Sequence, residues 1–267
     1  LLRFAYAGDG ALETSFLPPA MSTGIFDVLT EDDGSCIVVG QFAASATVPH
    51  AGIVKLTSAG AVDSTFAAGL AGANVLPVTT VVRQHDGKYV VCGAFSQMHG
   101  VARNSVARLN ADGTLDTTFD PGTGPNRIAG SRIGYSMVIQ PDGKIILGGQ
   151  FTTWNGIARA GLVRLNSDGS LDTTFANLDD TVNFFAGAEM VKCVALQTTT
   201  STPFFNVLVA GVFYGTWSGT NHGGVVRLTS TGVRDTTFAI GAGSFAGTSV
   251  SPVSAVAVQA DGKIVAS

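Results

Sequence analysis

Charge is what this sequence has least of. Only 13% of its 267 residues are Asp, Glu, Lys or Arg, about half the usual ~25%. Lysine occurs five times, and glutamate stands only at Glu13, Glu31 and Glu189. With a net charge of −4 and no basic stripe to neutralise a phosphate backbone, nucleic acid is excluded as a partner. Proton-transfer groups are equally scarce, since histidine is confined to His50, His85, His99 and His222. H-E-x-x-H, G-x-S-x-G and Walker loops are all missing. Residues 241–246, G-A-G-S-F-A, mimic a dinucleotide fingerprint but run into Val250-Ser251-Pro252 instead of a helix, and so fail its structural context. The sequence therefore offers no catalytic constellation and no cofactor site, although a site gathered from single residues on distant segments would leave no motif.

Other absences narrow the class further. No apolar run approaches the roughly 18 residues needed to span a bilayer. Cys36, Cys92 and Cys193 form an odd, widely spaced set without C-x-x-C or a Cys/His cluster, which argues against a metal site. Buried free thiols are the first reading of them, and one disulfide with a leftover thiol the second. No segment has helical period. The 34 glycines and 45% hydrophobic residues suit tightly stacked sheets with short turns and argue against disorder. The chain opens Leu1-Leu2-Arg3-Phe4 with neither an initiating Met nor a signal peptide. It is expected to be a piece of a longer precursor.

What is present is a repeat. Arg164 to Phe175 reads R-L-N-S-D-G-S-L-D-T-T-F. Close copies run from Arg108 to Phe119, Lys55 to Phe66 and Arg227 to Phe238, with a looser one from Arg3 to Phe16. The closing phenylalanines are 50, 53, 56 and 63 residues apart. Self-similarity at that period points to a propeller, solenoid or array. Each full repeat holds two hairpins. A first apolar strand (25–29, 78–82, 135–139, 190–196, 253–258) meets a turn, Asp33-Gly34, Asp86-Gly87, Asp142-Gly143 or Asp261-Gly262. Asp-Gly predicts a two-residue hairpin with both central residues at positive φ. A second strand follows (36–42, 89–95, 145–151, 206–213), then a loop, a third strand (52–56, 105–109, 161–165, 224–228), a turn, and a short fourth strand ending at Phe. Four strands per repeat make one blade of a β-propeller.

The expected fold is accordingly all-β: one propeller domain over 1–267, with complete blades near 24–66, 77–119, 134–175 and 189–238 and half blades at 1–16 and 253–267. The halves either join into a fifth blade, which would hide both edges, or belong to a larger ring completed elsewhere.

The stretch Asp142 to Phe175, D-G-K-I-I-L-G-G-Q-F-T-T-W-N-G-I-A-R-A-G-L-V-R-L-N-S-D-G-S-L-D-T-T-F, resembles the delta-60 repeat family, and the likeness covers nearly the whole chain. It weakens at 189–238, where residues 198–203 replace the first turn. The resemblance implies a bacterial or phage-type propeller module of long secreted or surface-exposed proteins, with no catalytic residues to carry over. The paired Gly148-Gly149 ending the second strand is similar to kelch repeats.

In such a blade the first–second and third–fourth turns share one end, and the second–third loops share the other with the connections between blades. The turn end is nearly all tight turns, with residues 198–203 the one exception. The other end varies (43–49, 96–102, 152–158, 214–221), and function tends to sit on varied loops held by a rigid scaffold. Five residues before each strand Arg or Lys stand His50, Arg103, Arg159 and His222, a recurring cationic position. They would either ring an anion or carboxylate or bond loop carbonyls within their own blades. Trp154, Tyr214 and Trp217 would stack on a sugar or partner, or pack between loops. Asn177, Asp179 and Asp180 are read as a solvated turn, there being no D-x-D-x-D-G loop for Ca²⁺. The pairs Lys55/Asp63, Arg108/Asp116, Arg164/Asp172 and Arg227/Asp235 are structural, folded together across a hairpin. The closing phenylalanines are wedges between blades. The functional expectation is a non-catalytic extracellular or surface scaffold that binds a protein partner or copies of itself; glycan binding and an enzyme site at a channel mouth are the alternatives.

Overall fold

A computed structural model of the chain describes residues 15–21, 24–48, 50–67, 77–126, 134–176, 190–198, 205–217, 220–238 and 253–267, without the side chains of 190 and 212–223. The turn at 199–203, most of the N-terminal copy, and Asn177, Asp179 and Asp180 lie outside the described residues. Every described element is a strand, and all pairings are antiparallel. Contacts gather the chain into two units, Leu1–Asp120 and Pro121–Ser267, with the boundary between the second and third expected blades.

In the first unit, β1 (Ile25–Thr30), β2 (Cys36–Gly40) and β3 (Ile53–Leu56) form one sheet in chain order. The next repeat supplies β4 (Val78–Arg83), β5 (Tyr89–Gly93), a small ribbon of β6 (Gln97–Met98) and β7 (Val101–Ala102), and β8 (Val106–Leu109), which pairs with β5. In the second unit β9 (Ser136–Ile139), β10 (Ile145–Gly148), the ribbon β11 (Thr153–Trp154) and β12 (Ile157–Ala158), and β13 (Leu162–Leu165) repeat that plan. The fourth repeat has longer strands, β14 (Met190–Thr198), β15 (Phe205–Trp217) and β16 (Thr220–Leu228). A closing pair, β17 (Val256–Val258) and β18 (Ile264–Ala266), matches the C-terminal half blade.

The fourth strand is the thinnest part of each blade. It is reduced to single bridges, Leu56 to Val62, Leu109 to Leu115, Leu165 to Leu171 and Leu228 to Arg234, because the D-T-T segment turns away immediately afterwards. In D-T-T an aspartate oxygen accepts from the amide and hydroxyl two residues on, as Asp172 Oδ1 does from Thr174 at 2.9 and 2.6 Å. That local bonding competes with continued pairing.

The Asp-Gly turns correct the sequence expectation. Only the glycine is left-handed, at φ 80° in Gly34, 82° in Gly87 and 81° in Gly143. The bonds Gly34 N to Glu31 O and Glu31 N to Ser35 O, at 3.0 and 2.9 Å, close a three-residue loop. Such a loop is a type I turn followed by a left-handed residue. The aspartate is there for its carboxylate, which caps the amide two residues on: Asp33 takes Ser35 N at 2.9 Å and Asp142 takes Lys144 N at 3.1 Å. The two-residue turns lie elsewhere, at His99-Gly100 (φ 51° and 78°) and Asn155-Gly156 (φ 51° and 77°), so segments expected as irregular loops are ordered ribbons. The second strands stop at Gly40, Gly93 and Gly148, short of the expected Phe42, Phe95 and Phe151.

The core lies between consecutive sheets. Phe66 is 2% exposed and packs with Ile37, Val39 and Ile53 of its own repeat and with Val78, Val81 and Val91 of the next. Its ring meets Tyr89 edge-on at 5.9 Å. Phe175 sits likewise among Ile146 and Leu162 behind it and Val191, Val207 and Leu228 ahead. Phe16 lies against the first sheet and Phe238 against the closing pair. Phe66 and Phe175 are thus wedges of the expected kind.

Three further links join neighbours. Asp27 Oδ2 accepts the Val81 amide at 3.0 Å, Ser136 Oγ accepts the Val194 amide at 3.1 Å, and Cys193 Sγ reaches the Val256 carbonyl at 3.7 Å. All three stand at one repeat position, four residues before Glu31, Gln140 or Gln197. The residue after three of these phenylalanines also donates forward, Leu17 N to Ala59 O, Ala67 N to Asp112 O and Ala176 N to Thr231 O, at 3.2, 2.7 and 3.0 Å. This explains Gly60: it has φ +84°, and a Cβ there would stand 2.8 Å from Leu17 N.

Candidate functional site

The two ends of a blade differ in how their polar groups are used. At the turn end, Arg108 Nε meets Asp116 Oδ2 at 2.8 Å and Arg164 Nε meets Asp172 Oδ2 at 2.8 Å. Arg227 uses both Nε (2.8 Å) and Nη2 (2.7 Å) on Asp235 Oδ2. Lys55 makes no such pair and acts on Asp63 only as a longer-range charge. The third member of two clusters was not read from the sequence: Lys88 Nζ reaches Asp116 at 2.8 Å and Lys144 Nζ reaches Asp172 at 2.6 Å, each across 28 positions. Each arginine also lies over its own wedge, with Cζ 4.9, 4.6 and 4.7 Å from the rings of Phe119, Phe175 and Phe238. Burial by itself would raise the Asp116 and Asp172 carboxyls, but the lysine, threonine and arginine donors outweigh it and hold both far below the usual carboxylate range. These groups are saturated by one another and bear structure.

At the ribbon end, Met98 and Trp154, at equivalent positions, are both fully buried. Trp154 packs edge-on against Phe151 at 5.6 Å. Of the two expected uses of its ring, stacking on a ligand or packing between loops, the burial matches packing: the indole plugs the space beneath the ribbon. The ribbon is pinned from the other side by the connection that precedes its blade. Pro125 bridges to Trp154, Asn126 Oδ1 accepts the amides of Thr152 and Thr153 at 2.9 Å each, and Asn155 Oδ1 accepts Gly124 N at 2.7 Å. Exposed on these rigid ribbons are Val101 at 39% and Ile157 at 44%, again equivalent positions. In the first blade the same position, Val48, turns inward instead.

The recurring cations fall at this end. Arg103 gives Nη1 to its neighbour's carbonyl, Ala102 O, at 2.8 Å and Nη2 to Thr117 O at 3.3 Å, which is the reading that keeps each cation in its own blade. Arg159 is 6% exposed and gives only Nη1, to Ala158 O at 2.9 Å. His50 is half-buried, and its charge, after burial, helps to lower the His99 imidazole below its usual value, so these two rings share a neighbourhood. The strands holding Tyr214, Trp217 and His222 pair Tyr214 with Gly223, Gly215 with His222 and Trp217 with Thr220, while the three side chains lie outside the described ones. None of the three cysteines is in a disulfide, and burial pushes the Cys36 and Cys92 thiols up, away from nucleophilic use. Among the described residues no three His, Cys, Asp or Glu side chains converge on a metal position.

Comparison with known proteins gives a consistent answer for the repeat. Residues 31–66, 84–119, 140–175 and 206–238 match the family described as a domain of unknown function (DUF5122) beta-propeller. No curated protein matches the chain. Among solved structures, the extracellular domain of a protein described as a one-component system from B. thetaiotaomicron is 10% identical, at a TM-score of 0.41 over 95% of this chain and 34% of its own. The chain thus spans about a third of that neighbour's length.

Proposed function

The chain belongs to the DUF5122 β-propeller family, and on that premise we propose that it is a non-catalytic scaffold module that binds a protein partner, or further copies of itself, through the ribbon end of its blades. The observation that carries this reading is the pairing of rigidity with exposed apolar surface. Val101 and Ile157 stand out at 39% and 44% exposure on ribbons anchored by the buried side chains of Met98 and Trp154. A preorganised ribbon loses little conformational entropy on binding, and function tends to sit on segments held by a fixed scaffold. At the turn end the Arg108, Arg164 and Arg227 charges are met by aspartates of their own hairpins. The setting is outside the cell or at its surface, in keeping with the resemblance to delta-60 repeats. Glycan binding is the weaker reading, because Trp154 has no exposed face.

The test is the double substitution Val101→Glu with Ile157→Glu, followed by sedimentation velocity for self-association and by capture of a partner on immobilised protein. Association present in the wild type and lost in the variant, with the melting temperature shifted by less than about 2 °C, supports the assignment. Equal association by both proteins overturns it.

A further inference from the structure

The structure uses arginine in one way at the turn end and leaves one arginine with that use unfilled at the other. Arg108, Arg164 and Arg227 each present Nε to a carboxylate oxygen at 2.8 Å, and Arg227 adds Nη2 from the same edge of its guanidinium. That edge, two parallel N–H groups in one plane, is the geometry that carboxylates fit. Arg159 has the same edge uncommitted. It is only 6% exposed, its Nε is buried without a partner, and its single bond is the one from Nη1 to Ala158 O. At the equivalent position Arg103 also has a buried, unpartnered Nε, but its Nη2 is taken by Thr117 O, so its edge is half occupied.

A second orphan donor belongs to the same ribbon. Trp154 Nε1 is buried and unpartnered. Trp154 pairs across the ribbon with Ile157, and the Arg159 amide donates to Thr152 O at 2.8 Å, so residues 152, 154, 157 and 159 share a face, with Trp154 and Arg159 on its diagonal. Diagonal neighbours lie about 7–8 Å apart at Cα, within reach of long side chains. Buried donors are nearly always paired, because leaving one unpaired has a large desolvation cost. Here two donors without acceptors, one of them cationic, sit on one face of a ribbon held in place by Asn126 and Asn155.

We propose that the Nε–Nη2 edge of Arg159, with Trp154 Nε1 beside it, is a binding site for a single carboxylate group. The site lies at the end assigned above to partner binding and rests on that reading only for its biological occupant, an acidic side chain or C-terminus of the bound protein. A free carboxylate tests the donors alone, so the two readings fail separately.

Sodium acetate is the probe, titrated against sodium chloride at matched ionic strength. The protein is the full chain carrying Trp217→Phe, so that Trp154 is its one indole fluorophore. A saturable change in Trp154 emission and a rise in melting temperature are expected with acetate and not with chloride. Arg159→Gln abolishes both. Arg159→Lys keeps the charge but not the fork and binds acetate about tenfold more weakly, which also serves should the glutamine variant not fold. No saturable response to acetate, an equal response to chloride, or undiminished binding in the lysine variant overturns the proposal.

Discussion

Arg164 Nη1 donates to the carbonyl oxygen of Ser230 at 2.5 Å, across 66 positions of sequence. The same guanidinium gives Nε to Asp172 at 2.8 Å and covers Phe175 at 4.6 Å. One side chain therefore closes its own hairpin, seats its own wedge and ties the third repeat to the fourth. Arg164→Met leaves the 4%-exposed Asp172 side chain with fewer donors, and removing one partner of a buried pair costs about 3–5 kcal/mol. Arg227→Met is the control: its pair is 20% and 17% exposed, so a loss of about 1 kcal/mol is expected. Urea unfolding of the two variants measures both, and equal losses would contradict the clip.

Acid stability follows from the same clusters. The Asp116 and Asp172 carboxyls are held well below the ordinary value in the fold, whereas in the unfolded chain they titrate near 3.9. A depressed folded value means that the unfolded state binds the extra proton, so stability is complete above about pH 4 and declines as pH falls below it. The wild type is expected to lose stability steeply below that point. Asp172→Asn, already weaker at neutral pH, loses less on acidification, and an acid limb as steep as the wild type's would sink the assignment.

Asn155 makes a local prediction. Its side chain holds Gly124 N at 2.7 Å and donates to Pro121 O at 3.2 Å, while its backbone sits at φ 51°. Asn155→Gly keeps that backbone accessible and removes only the clamp. Hydrogen exchange at the Gly124 amide is expected to quicken by about tenfold with little change in global stability. Unchanged exchange would show that the connection 121–126 is held by something else.

The repeat made much of this legible. The Phe spacing gave the blade period, and the eight-residue step from Arg to Asp across a turn led directly to the ion pairs. Local pattern carries such features because both partners lie in one hairpin. Lys88 and Lys144 escaped notice because their aspartates are 28 positions away, in another hairpin of the same blade. The stitches by Asp27, Ser136 and Cys193 share a position and a task but no chemistry, so no residue pattern marks them. Asn155-Gly156 did carry a readable signal, since Asn-Gly is the strongest short hairpin cue, and reading 152–158 as a loop passed over it. The sequence leaves Trp154 open between a stacking face and packing. Its burial depends on how the ribbon folds back onto Phe151, which spacing does not encode.

The central claim is a division of labour between turn ends that hold the fold and ribbon ends that meet a partner. Its most direct test is to measure unfolding free energy and partner association side by side in Arg164→Met and in the Val101→Glu, Ile157→Glu double variant. The first is expected to lose about 3–5 kcal/mol yet still associate at temperatures where it stays folded, and the second to keep its stability and lose association. A folded Arg164→Met protein that no longer associates, or a double variant that associates as the wild type does, would contradict it.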